Sequence, residues 1–149
     1  MNYSKLITDC QNSIEIRMSW SDDFDEGLSQ NSLGLLYLNY GADISSLEEI
    51  NKKDSIDVLK NLLRYDLCYQ NIERMKQNLV EKYTEEIFEE YDDVPVKFYT
   101  NIQVEKGKKD KENGILSYSS SMSGWGPFDA GIIFLTPKTV SCIWVSSED

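Results

Sequence analysis

Residues 56–91 read IDVLKNLLRYDLCYQNIERMKQNLVEKYTEEIFEEY. Apolar side chains recur there at steps of three and four: Ile56, Leu59, Leu63 and Leu67, then Ile72, Met75, Leu79, Tyr83, Ile87 and Tyr91. That spacing gathers them into one stripe along a helix, facing a core. The stretch holds neither Pro nor Gly. Unbroken, it would run about 55 Å at 1.5 Å per residue, longer than a domain of this size accommodates. Two helices are expected, with a break near Asp66 to Asn71, packed on one face of a sheet.

Working outward, Ile14, Ile16, Met18 and Trp20 alternate with Glu15, Arg17 and Ser19, the period of a half-buried strand. Ser4 to Asn12 suits a short first helix, with Ser4 as N-cap and Leu6, Ile7 and Cys10 on one face. Leu33 to Tyr40 (LGLLYLNY) is expected as a strand pairing with the first, although its continuous apolar run also suits a short helix. Ser46 and Glu49 stand in capping-box spacing, so Asp43 to Ser46 should open the helical region. Pro95 helps to end it. Val94, Val96, Phe98, Thr100, Ile102 and Val104 then alternate with more polar residues as one long strand. KGKKDKENG (106–114) should turn the chain, with Asn113-Gly114 as the turn pair. Ile115 to Ser119 returns as a strand, and Ile132 to Thr136 with Thr139 to Val145 flank Pro137-Lys138 as a hairpin. Strands, helices, strands, with no repeated βα unit, make one α+β domain over residues 1–149. Its sheet should be mainly antiparallel and packed against two central helices, or one long one.

Composition narrows the function classes. Hydrophobic residues make up 40% of the 149 and aromatics 11%, too many for a disordered chain. No apolar run approaches the roughly 20 residues that span a bilayer, and the start lacks a secretory pattern, so the cytoplasm is the expected compartment. Cys10, Cys68 and Cys142 lie far apart without ligand spacing and read as reduced, mostly buried thiols. Histidine is absent, which removes Ser-His-Asp and Cys-His nucleophiles and imidazole-bound zinc. No catalytic residue, metal or cofactor is expected. The net charge of -11, from 26 acidic and 15 basic side chains, repels phosphate backbones and anionic membranes. Direct nucleic-acid and membrane binding are therefore not expected. A basic protein partner suits that surface, and so does plain solubility.

Three clusters are candidates for recognition. SDDFDEG (21–27) carries Asp22, Asp23, Asp25 and Glu26 around Phe24 in a loop without EF-hand spacing. The helix end EEIFEEYDD (85–93) carries Glu85, Glu86, Glu89, Glu90, Asp92 and Asp93, with Tyr91 among them. Like charges four apart oppose an isolated helix, and so does negative charge at its C-terminus. The glycine-rich SMSGWGPFDAG (121–131) holds Trp125 and Phe128, aromatics that suit an interface anchor or a cap on the core. Its glycines do not form a phosphate loop. Lys106, Lys108, Lys109 and Lys111 make the one basic patch, read as a solvated hairpin tip.

In SDDFDEG, EEIFEEYDD and the closing GWGPFDAGIIFLTPKTVSCIWVSSED, the chain resembles the small acidic immunity proteins of bacterial toxin–immunity systems. The resemblance implies a protein that binds a cognate toxin domain, often a basic nuclease, and blocks or distorts its active site. Asp22 to Glu26 or Glu85 to Asp93 would then occupy phosphate sites on the toxin, with Tyr91, Trp125 and Phe128 at the desolvated centre. The lysine-rich segment departs from a uniformly acidic face. Two alternatives stay open: a phage-type DNA mimic acting on a host nuclease, and a small carboxylate- or metal-dependent hydrolase.

Overall fold

A computed structural model describes residues 1–10, 13–20, 27–29, 44–67, 72–115 and 129–146. Among them are four α-helices: α1 (Tyr3–Asp9), α2 (Lys52–Arg64), α3 (Gln77–Glu89) and α4 (Val104–Glu112). Five strands, β1 (Ser13–Trp20), β2 (Glu48–Ile50), β3 (Lys97–Thr100), β4 (Asp129–Leu135) and β5 (Thr139–Ser146), form one sheet in the order β1-β5-β4-β3-β2. Every pairing is antiparallel. The fold is α+β, as the order of elements implies. No helix among the described residues is long and apolar enough to cross a membrane.

The hairpin of β4 and β5 is the centre of the sheet, and all of β4 is buried. On one face Ile132, Phe134, Ile143 and Val145 meet Val58, Leu59, Leu62 and Leu63 of α2 and Val80, Tyr83, Ile87 and Phe88 of α3. Phe88, Phe98 and Phe134 pack with ring centres 5.6–5.8 Å apart. On the other face Ile133, Leu135, Val140, Cys142 and Trp144 form a second buried cluster. The Trp144 indole N–H donates to Asp129 Oδ2 at 3.2 Å. Its ring lies over Gly131, where an added Cβ would sit 2.3 Å from Trp144 Cε3. Only glycine lets that ring lie flat on the sheet. Burial pushes the Cys142 thiol up to about 12; Cys10 is also buried, and Cys68 lies outside the described residues.

The expected break between two helices is present. α2 ends at Arg64 and Tyr65 turns to extended backbone. Asp66, only 1% exposed, accepts from Arg74 Nε at 3.0 Å and Nη2 at 2.6 Å. Arg74 N–H donates to the Arg64 carbonyl at 2.6 Å, so the connector is fastened at both ends. Ile72 falls in this connector and is exposed.

Four local expectations are corrected. Asn2, not Ser4, caps α1: its Oδ1 accepts the Lys5 N–H at 3.0 Å, and the helix stops at Asp9. Ile7 is 46% exposed rather than on the core face. Ser46 and Glu49 make no capping box: Ile44–Ser46 is a single 3₁₀ turn and Glu48–Ile50 is β2. There Ile50 pairs with Phe98 and Asn51 caps α2 through the Asp54 N–H at 2.8 Å.

The long strand to Val104 stops at Thr100. Beyond it, side chains replace the ladder: Asn101 Nδ2 donates to the Asp129 carbonyl at 3.0 Å, and Asn101 Oδ1 accepts the Gly131 N–H at 3.1 Å. The Thr100 hydroxyl donates to the Gly131 carbonyl at 2.7 Å. The lysine-rich segment is then helix α4, not a hairpin tip. Lys106 meets Asp110 at 2.9 Å one turn on, Glu105 sits in the first turn, and Lys109 and Lys111 sit in the last, an order that suits the helix dipole. Gly107 is buried, and Gly114, with φ +84°, ends the helix. Ile115 follows in irregular backbone. The expected strands over Leu33–Tyr40 and through Ser119 lie outside the described residues, wholly or after Ile115.

Candidate functional site

The acidic end of α3 sorts into paired and unpaired carboxylates. Glu81 lies 2.8 Å from Lys60, and Asp92 lies 3.6 Å from Lys52. Glu90 accepts the Tyr3 hydroxyl at 2.9 Å and sits 3.5 Å from the Met1 amino group. Glu85, Glu86, Glu89 and Asp93 form no salt bridge among the described residues. Glu85, Glu89 and Asp93 are exposed and Glu86 half-buried. The last turn of α3 holds no basic residue, so these charges meet the negative end of the helix dipole at a cost of about 0.3–1 kcal/mol.

Tyr83 and Tyr91 diverge. Tyr83 is buried inside the fold, and its hydroxyl donates to Asp9 of α1. Burial first, then that carboxylate, pushes the Tyr83 phenol up to about 12. Tyr3 is raised as well, by burial and then by Glu90. Tyr91 is half-buried. It stacks on Phe134 at 5.0 Å with planes 9° apart, and its hydroxyl shares a 2.8 Å hydrogen bond with the Ser141 hydroxyl.

Helix α1 is a ridge between two hollows. On one side a polar cavity of about 490 Å³ is lined by Lys5, Lys82, Glu86, Glu89 and Glu90. On the other, an apolar groove of about 360 Å³ lies between Tyr3 and Ile7 of α1, Ile16 and Met18 of β1, Ile87 of α3 and Tyr91 just past its end. Tyr3 lines the groove and donates its hydroxyl to Glu90, which lines the polar cavity, while the charged residue that lines the groove itself is Arg17.

Strand pairing shows why the groove is open. Ile14 and Ile16 of β1 stand opposite Val145 and Ile143, but Met18 and Trp20 stand opposite Ser141 and Thr139. The apolar face of β1 thus outruns the apolar face of its neighbour. Met18 is 50% exposed and Trp20 74%. Sequence reasoning placed both on a core face and missed them as surface. The signal is the mismatch between the four-residue apolar alternation of β1 and the hydroxyl residues of β5, which becomes visible once the two are paired in register.

Of the residues singled out from sequence, Glu85, Glu86, Glu89, Glu90, Tyr91, Asp92 and Asp93 lie together at this end of α3. Asp22, Asp23, Asp25, Glu26, Trp125 and Phe128 lie outside the described residues. Two lysines of α4 are paired: Lys106 with Asp110, and Lys108 with Asp54 of α2 at 3.1 Å and Glu105 at 3.3 Å, and these last two carboxylates raise the Lys108 pKa. Among the described residues no group of three or more Cys, Asp or Glu is arranged to hold a metal ion. Compared with protein-family models, curated proteins and solved structures, the chain gives no match.

Proposed function

We propose that this chain is a protein-binding inhibitor of the immunity type, which neutralises a cognate basic toxin domain by covering its active or substrate-binding surface. The observation that carries the reading is the set of carboxylates at the end of α3 that form no salt bridge among the described residues: Glu85, Glu86, Glu89 and Asp93. Charges held against a helix dipole and against one another are relieved by an incoming cationic surface, which also gains a faster encounter through long-range attraction. Their confinement to one helix end, beside an apolar groove, suits a compact protein interface better than the evenly spaced stripe of a DNA mimic.

The test is affinity capture from the native lysate at low salt and again at about 0.5 M salt, where the screening length falls to a few ångströms. A basic protein held in both conditions, more weakly in the second, should then lose its toxic or enzymatic activity when the purified chain is added. Full retention of activity in the saturated complex would rule the inhibitor reading out.

A further inference from the structure

We propose that α1 is a strap: it opens as a unit while the sheet, α2 and α3 stay folded, and its opening joins the two hollows beside it into one trough along α3. Such opening goes beyond the inhibitor reading and holds whatever the partner is.

The strap is buckled at both ends. Tyr3, the first residue of α1, donates its hydroxyl to Glu90, just past α3, at 2.9 Å. Asp9, the last residue of α1, accepts the hydroxyl of Tyr83 within α3. The two bonds run in opposite directions, and each pairs a tyrosine with a carboxylate. The Met1 amino group adds a longer contact to Glu90 at 3.5 Å. Between the buckles, Leu6 is the one helical residue that is buried, while Ser4, Lys5, Ile7 and Thr8 are exposed. Cys10 caps the helix and is buried with Leu6 in the main core, and Met1 and Tyr3 pack partly against it. Among the described residues α1 is thus held by a short apolar pin and two polar buckles.

Its length makes the opening a single step. Seven residues are fewer than the roughly 12 that an isolated helix needs in water, so α1 is helical only while docked. Once released it unravels and regains chain entropy. Segments with few buried apolar contacts and solvent-facing backbone bonds are where folded proteins open locally. The core beneath closes without it: Phe88 of α3 packs on Phe98 and Phe134 of the sheet.

α1 is also a partition. Asn2 and Lys5 line the polar cavity of about 490 Å³, and Tyr3, Ser4 and Ile7 line the apolar groove of about 360 Å³. Across from them α3 gives Tyr83 and Glu86 to the first hollow and Ile87 to the second. Lifting the partition leaves one trough with a polar end and an apolar end. It also releases Asp9 and Glu90 from their tyrosines, so the closed strap withholds two carboxylates from the acidic end of α3.

Two buried thiols report on the opening. Cys10 sits at the end of the strap, and Cys142 lies in the cluster on the far face of the sheet. The experiment labels the whole chain carrying Cys68→Ser with N-ethylmaleimide in native buffer and follows each thiol by peptide mass spectrometry. Cys10 should react roughly 100-fold faster than Cys142, as local opening outpaces global unfolding. Ile133→Val, a change in the far cluster, should speed Cys142 several-fold and leave Cys10 unchanged. Tyr3→Phe should speed both thiols by the same several-fold factor, because both open states lack the Tyr3–Glu90 bond. Both substitutions are conservative, and melting curves establish that each variant folds.

Equal rates at the two thiols, or an Ile133→Val effect shared by both, would mean that α1 leaves only when the whole fold does, and would overturn the strap. A Cys10 rate that ignores Tyr3→Phe would mean that the reagent reaches the thiol through the closed protein, and would overturn it too.

Discussion

Helices α3 and α4 are both heavily charged, and they treat their charges in opposite ways. In α4, Glu105 sits in the first turn and Lys109 and Lys111 in the last, Lys106 pairs with Asp110 one turn on, and Lys108 reaches Asp54 of α2. Its charge pattern stabilises the helix that carries it. In α3 the negative charges collect at the C-terminal end, and four carboxylates lack a salt bridge among the described residues. The contrast separates charge that serves local structure from charge that local structure merely tolerates, and the second kind is the surface proposed above to meet a partner.

The sharpest stability test concerns a paired charge taken to its buried extreme. Arg74→Ala takes the guanidinium from the buried Asp66 carboxylate, and breaking a buried ion pair costs up to about 3–5 kcal/mol. Because Arg74 is itself partly exposed, about 3 kcal/mol is expected in urea unfolding. A loss below 1 kcal/mol would place that pair with the dispensable charges of α3.

Reversing the unpaired set comes next. Glu85→Lys, Glu86→Lys, Glu89→Lys and Asp93→Lys together should slow association with the captured basic partner by about 100-fold at low salt, within the range of electrostatic steering. The gap should close near 0.5 M salt. Stopped-flow rates that stay equal at low salt would remove the α3 end from recognition.

The inner face of α3 supplies a pH test. The Tyr83 phenol is raised from 10.0 to about 12, and Tyr3 is raised too. A raised folded pKa means the native state holds its proton more tightly, so this stabilisation is complete below pH 10 and is lost as pH climbs through about 12. Phenolate absorbance at 295 nm from these tyrosines should rise together with the loss of far-UV circular dichroism above pH 10. Titration of all tyrosines before any unfolding would contradict the buried Tyr83–Asp9 contact.

The smallest effects carry opposite signs. Glu89→Lys removes a charge opposed to the dipole and should raise stability by about 0.3–1 kcal/mol. Lys108→Ala removes the link from α4 to Asp54 and should lower the melting temperature slightly, less so in high salt. Two shifts of the same sign would erase the contrast between the helices.

Much of this arrangement is legible in the chain itself. The strand at β1, the helices α2 and α3 and the hairpin around Pro137-Lys138 are all announced by spacing alone, although the same spacing also marked Met18 and Trp20, which are exposed. α4 was hidden because Gly107 and Asn113-Gly114 suggest a turn, while the buried surface that accommodates Gly107 comes from elsewhere in the chain. β3 looked longer because Ile102 and Val104 keep the alternation, yet Asn101 takes over hydrogen bonding to β4 from a partner 30 residues away. At the site, the carboxylates were visible but their fates were not. Lys60, Lys52 and Tyr3, which engage Glu81, Asp92 and Glu90, are distant in sequence. The groove belongs to no single segment, so no local pattern reveals it.

The exposure of Trp20 at the end of β1 has an optical consequence. Trp144 sits in an apolar, rigid setting and should emit at short wavelength whatever the solvent holds. Trp20 should emit near the wavelength of free indole and be open to collisional quenchers. Beside so acidic a surface, caesium ions should reach it more readily than iodide of equal concentration, and added salt should level the two. In a Trp125→Phe variant, the ratio of the two quenching constants then measures the electrostatic potential around Trp20 without any label, before any partner is known.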